Sequence, residues 1–174
     1  MPNGAKFRNN NVVETIPNNV DISDVIDGSY FLYQCLTLVS VDFSGRDTHS
    51  LERMNYFVGN SAKLVTLNLA NIDVSNVTTI DNFASGCTAL VNLNLANWNL
   101  SSITIGQSDC FKNCTSLSDE SLNYILGALS TITQIKYPQY RTLKFVGLTS
   151  TQATTCQTLS NWDAFVSAGW SSGY

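Results

Sequence analysis

The apolar positions of this chain recur as a phrase rather than in one simple period. Leu38-x-x-Val41-x-Phe43, Leu64-x-x-Leu67-x-Leu69 and Leu90-x-x-Leu93-x-Leu95 are three copies of L-x-x-L-x-L, set 26 residues apart. The last two apolar residues of each copy alternate with polar ones, which predicts a short half-buried strand. A second phrase precedes each copy: "FLYQCLTL" at 31–38, "FVGNSAKL" at 57–64 and "FASGCTAL" at 83–90. A fourth, "FKNCTSL", ends at Leu117 with one residue deleted. One such unit cannot bury its leucine side alone, whereas parallel stacking of units makes a continuous core. Phe31, Phe57, Phe83 and Phe111 are then expected to fill the wall opposite the strands. The longest identity joins "LVTLNLANIDVSNV" to "LVNLNLANWNLSSI", with eight of fourteen positions shared. The first copy departs after Phe43 ("SGRDTHSLERM") and the last lacks the strand, so both read as ends of a short array. Pro2, Pro17 and Pro138 all lie outside it, where no ladder donor is lost.

After Leu117 the pattern changes to a helical one. Ser118 is a plausible N-cap, Asp119 and Glu120 occupy the first turn, and Leu122, Ile125, Leu126 and Leu129 form one apolar face. Thr142 to Leu148 reads as a strand. Thr149-x-x-Gln152 and Ser160-x-x-Asp163 read as two capping boxes opening short helices, the second with Trp162, Ala164 and Phe165 on its apolar side and Gly169 as its stop. The predicted organisation is an N-terminal arm and cap at 1–30, repeats at 31–117 and a helical cap module at 118–174. An arm docked on a neighbouring subunit is the alternative for 1–30.

Composition narrows the function classes. Of 174 residues only 13% are charged, the net charge is −4, and apolar residues make up 44%. The polar surface must come from Asn, Ser and Thr. Nucleic acid is disfavoured, because its partners carry basic stripes. No apolar run of 18 residues is present, so membrane insertion is not expected. No apolar leader segment is visible at the N-terminus. The five cysteines do not read as a disulfide framework.

The phrase F-x-x-C-x-x-L-x-x-L-x-L-x-N followed by "NIDVSNVTTIDNF" resembles BspA-like leucine-rich repeats over residues 31–117. The resemblance implies an α/β fold: a short leucine-rich-repeat solenoid of about three and a half repeats, with an N-terminal arm and a C-terminal α/β cap. Proteins of that kind occur on the surfaces of gut and oral bacteria and protists and in phages. The tail, "LTSTQATTCQTLSNWDAFVSAGWSSGY", resembles the ends of leucine-rich-repeat virion proteins of gut bacteriophages. This implies a virion surface component, in a capsid decoration or in a fibre or tail, docking on other virion proteins in many copies or as a homo-oligomer. The alternative is a bacterial cell-surface adhesin.

Candidate chemistry is sparse. His49, the one histidine, lies in the polar stretch "RDTHSLER", with no nucleophile motif beside it. Cys110-x-x-x-Cys114 lacks a second ligand pair, so no metal or other cofactor is expected. Cys35, Cys87 and Cys114 share one repeat position that Ser61 fills in the second unit, which fits a stacked row of small buried side chains. Asp42 aligns with Asn68 and Asn94, so a pair of catalytic carboxylates fails there. No enzyme activity is expected. The outward strand positions Ser40, Asp42, Thr66, Asn68, Asn92 and Asn94 form a candidate contact face for a protein or a glycan. The segment "KYPQYR", with Tyr137 and Tyr140, and Trp170 near the end are candidates for a subunit interface.

Overall fold

The computed structural model describes residues 7–17, 20–104, 107–134 and 136–174. Of the predicted N-terminal segment, positions 1–6, 18 and 19 lie outside the described residues. The chain runs β1 (Ser40–Asp42), β2 (Thr66–Asn68), β3 (Asn92–Asn94), α1 (Asp119–Ser130), a 3-10 turn (Pro138–Tyr140), α2 (Ser150–Cys156) and α3 (Trp162–Ser167). The three strands form one parallel sheet in chain order. Val41 pairs with Leu67 and Leu67 with Leu93, so the register equals the sequence period. Thus each coil lies on the one before it, and its leucines point into a shared interior.

Main-chain hydrogen bonds run between coils well beyond the strands. Leu32 N–H donates to Phe57 O at 2.7 Å, Val58 N–H to Phe83 O at 3.0 Å, and Ala84 N–H to Cys110 O at 2.8 Å. The phenylalanines of this wall are buried. Phe31 and Phe57 stack at 5.6 Å and 7° between planes, Phe57 and Phe83 at 5.8 Å and 5°. Phe7 and Phe111 close the row at either end with their rings turned, at 71° and 70°.

Each coil turns its corners with left-handed residues. Gly45, Asn71 and Asn97 form one such column, with φ of 65°, 60° and 64°. Gln34, Asn60, Gly86 and Asn113 form a second, each just before the Cys/Ser row, and Tyr30, Tyr56 and Asn82 a third. Asparagine is among the few residues that tolerate this conformation, because its short amide bonds locally. The asparagine content therefore belongs to the backbone as much as to the surface.

The described parts of residues 7–30 do not form an arm. They make a further coil on the same plan. Thr15 bridges Ser40 in parallel, and Phe7 N–H donates to Phe31 O at 2.8 Å. Ile16, Val20 and Ile22 are buried in the common core. The turn Asp21–Ser23 recurs at Asp73–Ser75 and Asn99–Ser101, and Asp47 makes the same backbone bond to His49. The segment after Phe43 therefore does not depart from the repeat. It keeps the turn acid and buries Leu51 and Met54 while changing most other letters.

At the other end α1 replaces the strand of a fourth unit. Ser118 caps it, accepting from Ser121 N–H. The predicted strand at 142–148 is instead a tight turn joined to the rest by one bridge, Thr142 to Ser171. It lies on the last phenylalanine corner: Asp109 N–H donates to Phe145 O and Phe111 N–H to Val146 O, both at 2.9 Å. Gly147, at φ +94°, sits so close to the Lys112 backbone that a Cβ would stand 2.7 Å from its nitrogen. The segment needs a corner there, and a strand would carry it past. The Thr149–Gln152 capping box is present. The Ser160–Asp163 box is not: α3 begins after Asn161 without a side-chain cap, because Ser160 Oγ is engaged with Asn123 of α1.

Candidate functional site

The chemistry-bearing side chains are mostly tied into the coil architecture. Cys35 Sγ donates to Phe7 O, Cys87 Sγ to Val58 O and Cys114 Sγ to Ala84 O, each at 3.1 Å. Ser61 Oγ makes the equivalent bond to Leu32 O at 2.8 Å. The shared requirement is a small side chain with one hydrogen to give, which explains why serine substitutes for cysteine. Desolvation pushes the Cys87 thiol up to about 12 and the Cys156 thiol up to about 11. Cys110, fully enclosed, is raised further for the same reason. All five are free thiols held in the uncharged form. Among the described residues no three metal-ligating side chains cluster.

His49 is exposed. Its Nδ1 lies 2.7 Å from Asp47 Oδ1, and this contact raises the imidazole and lowers the carboxyl. The partners stand two residues apart in one turn, so the pair is a local feature of the corner that Asp73 and Ser75 build one coil on.

The strand face is brought together as the repeat spacing requires. Ser40, Thr66 and Asn92 stand in one file, and Asp42, Asn68 and Asn94 in the next. The second file is partly structural. Asp42 accepts from Ser44 N–H and Oγ, Asn68 Oδ1 from Ala70 N–H at 3.3 Å, and Asn94 Oδ1 from Ala96 N–H at 3.0 Å. The Ser44 bonds hold the Asp42 carboxyl below its ordinary range. In the first file Asn92 Nδ2 lies 3.4 Å from Thr66 Oγ1.

What the sequence pattern did not disclose is the wall beside this face. α1 crosses next to β3 and turns the face into an open groove of about 290 Å3 with Glu120 and Tyr124 on its far side. Its floor includes the edge of β3, which Ser121 closes: the hydroxyl accepts from Leu93 N–H and donates to Val91 O, both at 2.8 Å. Tyr124 was visible only as an aromatic off the leucine positions. Its placement depends on the crossing of α1 over β3, which no local pattern encodes.

The predicted interface residues separate. Tyr137 is 41% exposed, and Tyr140 stacks on Phe145 at 4.5 Å. They border a shallow depression of about 520 Å3 through Tyr140. Trp170 does not join them. It is 2% exposed and stacks on Phe165 at 5.5 Å, so it belongs to the interior of the cap module. Trp98 is likewise buried, its Nε1 donating to Leu69 O at 2.9 Å.

A parallel array of 26-residue coils, each hydrogen-bonded to the next and closed by a helix, defines a repeat protein. Residues 4–124 match the family described as Mycoplasma protein of unknown function, DUF285, and the chain belongs to that family, which is related to the BspA-like repeat proteins. The matched span opens with the N-terminal coil and ends inside α1. No curated protein and no solved structure matches the chain.

Proposed function

We propose that this protein is a non-enzymatic interaction protein, a short BspA-like leucine-rich-repeat solenoid carried on the surface of a bacteriophage virion. It serves there as a capsid decoration or as part of a fibre or tail, docking on other virion proteins in many copies. The observation that carries the reading is the fate of the reactive side chains. The thiols of the Cys row are inter-coil donors, His49 braces a corner, and what remains presented is a polar, nearly uncharged face. Solenoid faces of this sort are binding surfaces. The free, buried thiols support a protein that folds without an oxidising compartment and leaves the cell by lysis. The resemblance of the tail to phage leucine-rich-repeat proteins points the same way.

The second reading, a bacterial cell-surface adhesin, draws on the bacterial source named in the family description. Immunogold labelling of a producing culture separates the two. Gold on released particles, at one place on head or tail, is the outcome for a virion component. Gold on the envelope, with particles bare, makes the protein an adhesin.

A further inference from the structure

Two open grooves meet at one side chain. The first, of about 290 Å3, lies between the strand face and α1 and is lined by Thr66, Asn68, Asn92, Asn94, Glu120 and Tyr124. The second, of about 300 Å3, continues past Leu95 and is lined by Asn97, Gly127, Ala128 and Asn161, again with Tyr124. Tyr124 stands between them, half-buried, its hydroxyl 3.4 Å from Glu120 Oε1. The volumes fall at the lower end of small-molecule sites, which start near 300 Å3. Small residues keep the second groove open: a Cβ on Gly127 would approach Asn161 Nδ2 to 2.9 Å.

The lining specifies the ligand class. No lysine or arginine lines either groove among the described residues, so anions find no counter-charge. Carboxamides dominate, with one exposed carboxylate and one aromatic ring. Asn94 Oδ1 is committed to Ala96 N–H, while no partner within the chain is found for Asn94 Nδ2 among the described residues, leaving a donor at the groove. Amide donors, a carboxylate acceptor and a ring face complement a neutral pyranose, whose hydroxyls both give and accept and whose C–H face lies on an aromatic. The run of the two grooves past Tyr124 gives room for more than one sugar ring.

We infer that the groove between the strand face and α1 binds a neutral saccharide, stacked on Tyr124 and hydrogen-bonded by Glu120, Asn92 and Asn94. This rests on the reading of the strand face as a contact surface and names its ligand class. Monovalent affinity in so open a site is weak, with Kd about 1 mM, and many copies on one particle would raise it by avidity.

The test is a nitrogen-15 NMR titration of the whole chain with methyl glycosides of hexoses and N-acetylhexosamines, to about 50 mM, well beyond that Kd. Propylamine and inorganic phosphate are titrated in parallel. Saturable shifts of the Asn92 and Asn94 side-chain amides and the Ala96 amide with a glycoside are expected. Glu120→Gln, at an exposed position, should weaken binding about tenfold while leaving the spectrum folded. Tyr124→Phe should keep stacking, whereas Tyr124→Ala should lose it. Response to propylamine or phosphate alone, response to no glycoside, or glycoside shifts unchanged in Glu120→Gln and Tyr124→Ala would each overturn the inference. Gold on particles without saccharide shifts removes the sugar and leaves the virion reading standing. Saccharide shifts with gold on the envelope do the reverse.

Discussion

At the scale of single residues, the repeat is written in donors and corners as much as in leucines. Gly86 shows how tightly these are set. It takes φ +81°, and the Asn60 side chain of the preceding coil fills the space beside it, so that an added Cβ would stand 2.2 Å from Asn60 Oδ1. Gly86→Ala combines left-handed strain with this overlap and should destabilise the fold by about 1–3 kcal/mol, read by urea unfolding. A change within about 0.5 kcal/mol would show that the corner relaxes freely. The Cys row gives a pH prediction. In the unfolded chain a thiol ionises from its ordinary value near 9.0, while the folded Cys87 thiol holds its proton to about 12. The folded state thus binds the extra proton, and its stability is complete below pH 9 and declines as pH rises toward 12. In Cys87→Ser that alkaline slope should flatten by about 1 kcal/mol per pH unit between those limits, an effect visible in chemical denaturation at stepped pH. Native thiols should also resist iodoacetamide until denaturant is added, and fast native labelling of Cys87 would contradict its burial.

At the scale of elements, the end of the array is the informative place. A parallel sheet leaves an open edge after its last strand, and here one hydroxyl closes part of it. Ser121→Ala leaves α1 its helix former but strips Leu93 N–H and Val91 O of their partner. The expected cost is about 1–3 kcal/mol, with faster amide exchange at Leu93. Unchanged exchange would mean water replaces the hydroxyl. Leu93→Ala, by contrast, acts through a cavity and should cost about 2–5 kcal/mol in the same assay. The elements differ in how openly the sequence declares them. The strands and α1 follow from local letters: alternating leucines, a serine cap, a helical apolar face. The turn at 142–148 does not, since "TLKFVGL" alternates like a strand and only the neighbouring phenylalanine corner bends it. Ser160 likewise matches a cap pattern, yet Asn123 of α1 engages it first. The N-terminal coil carries no L-x-x-L-x-L, but its Asp21 stands in step with Asp47 and Asp73, a signal readable by stepping back from the turn acids instead of the leucines. The strand face itself was legible from the period. Glu120 and Tyr124, which enclose it, were not, because an α1 crossing over β3 is a tertiary fact.

For the whole molecule, stability is a sum of coils and the contacts between them. The first coil has neighbours on one side only and meets the sheet through a single bridge, whereas the coil of Phe83 is held from both sides and below α1. Hydrogen exchange should therefore be fastest at residues 7–17 and slowest around Leu67, Phe83 and Leu93. Equal protection along the chain would indicate one all-or-none unit instead. The C-terminal module, with α2 and α3 both on α1, holds the far end shut, and Gln152 Nε2 reaches Cys114 O at 2.8 Å to cover the last row carbonyl.

The matching corners have one more consequence, and it lies in heredity. Left-handed residues, turn acids and row donors all recur in the same phase, so every junction between coils offers the same face above and below. A duplication or loss of one whole unit in the coding sequence would return the chain to the same phase and meet the same cap. Length along the coil axis is thus a quantity that recombination can adjust without disturbing either end, while a shift by any other number of codons would put a leucine where a corner must turn.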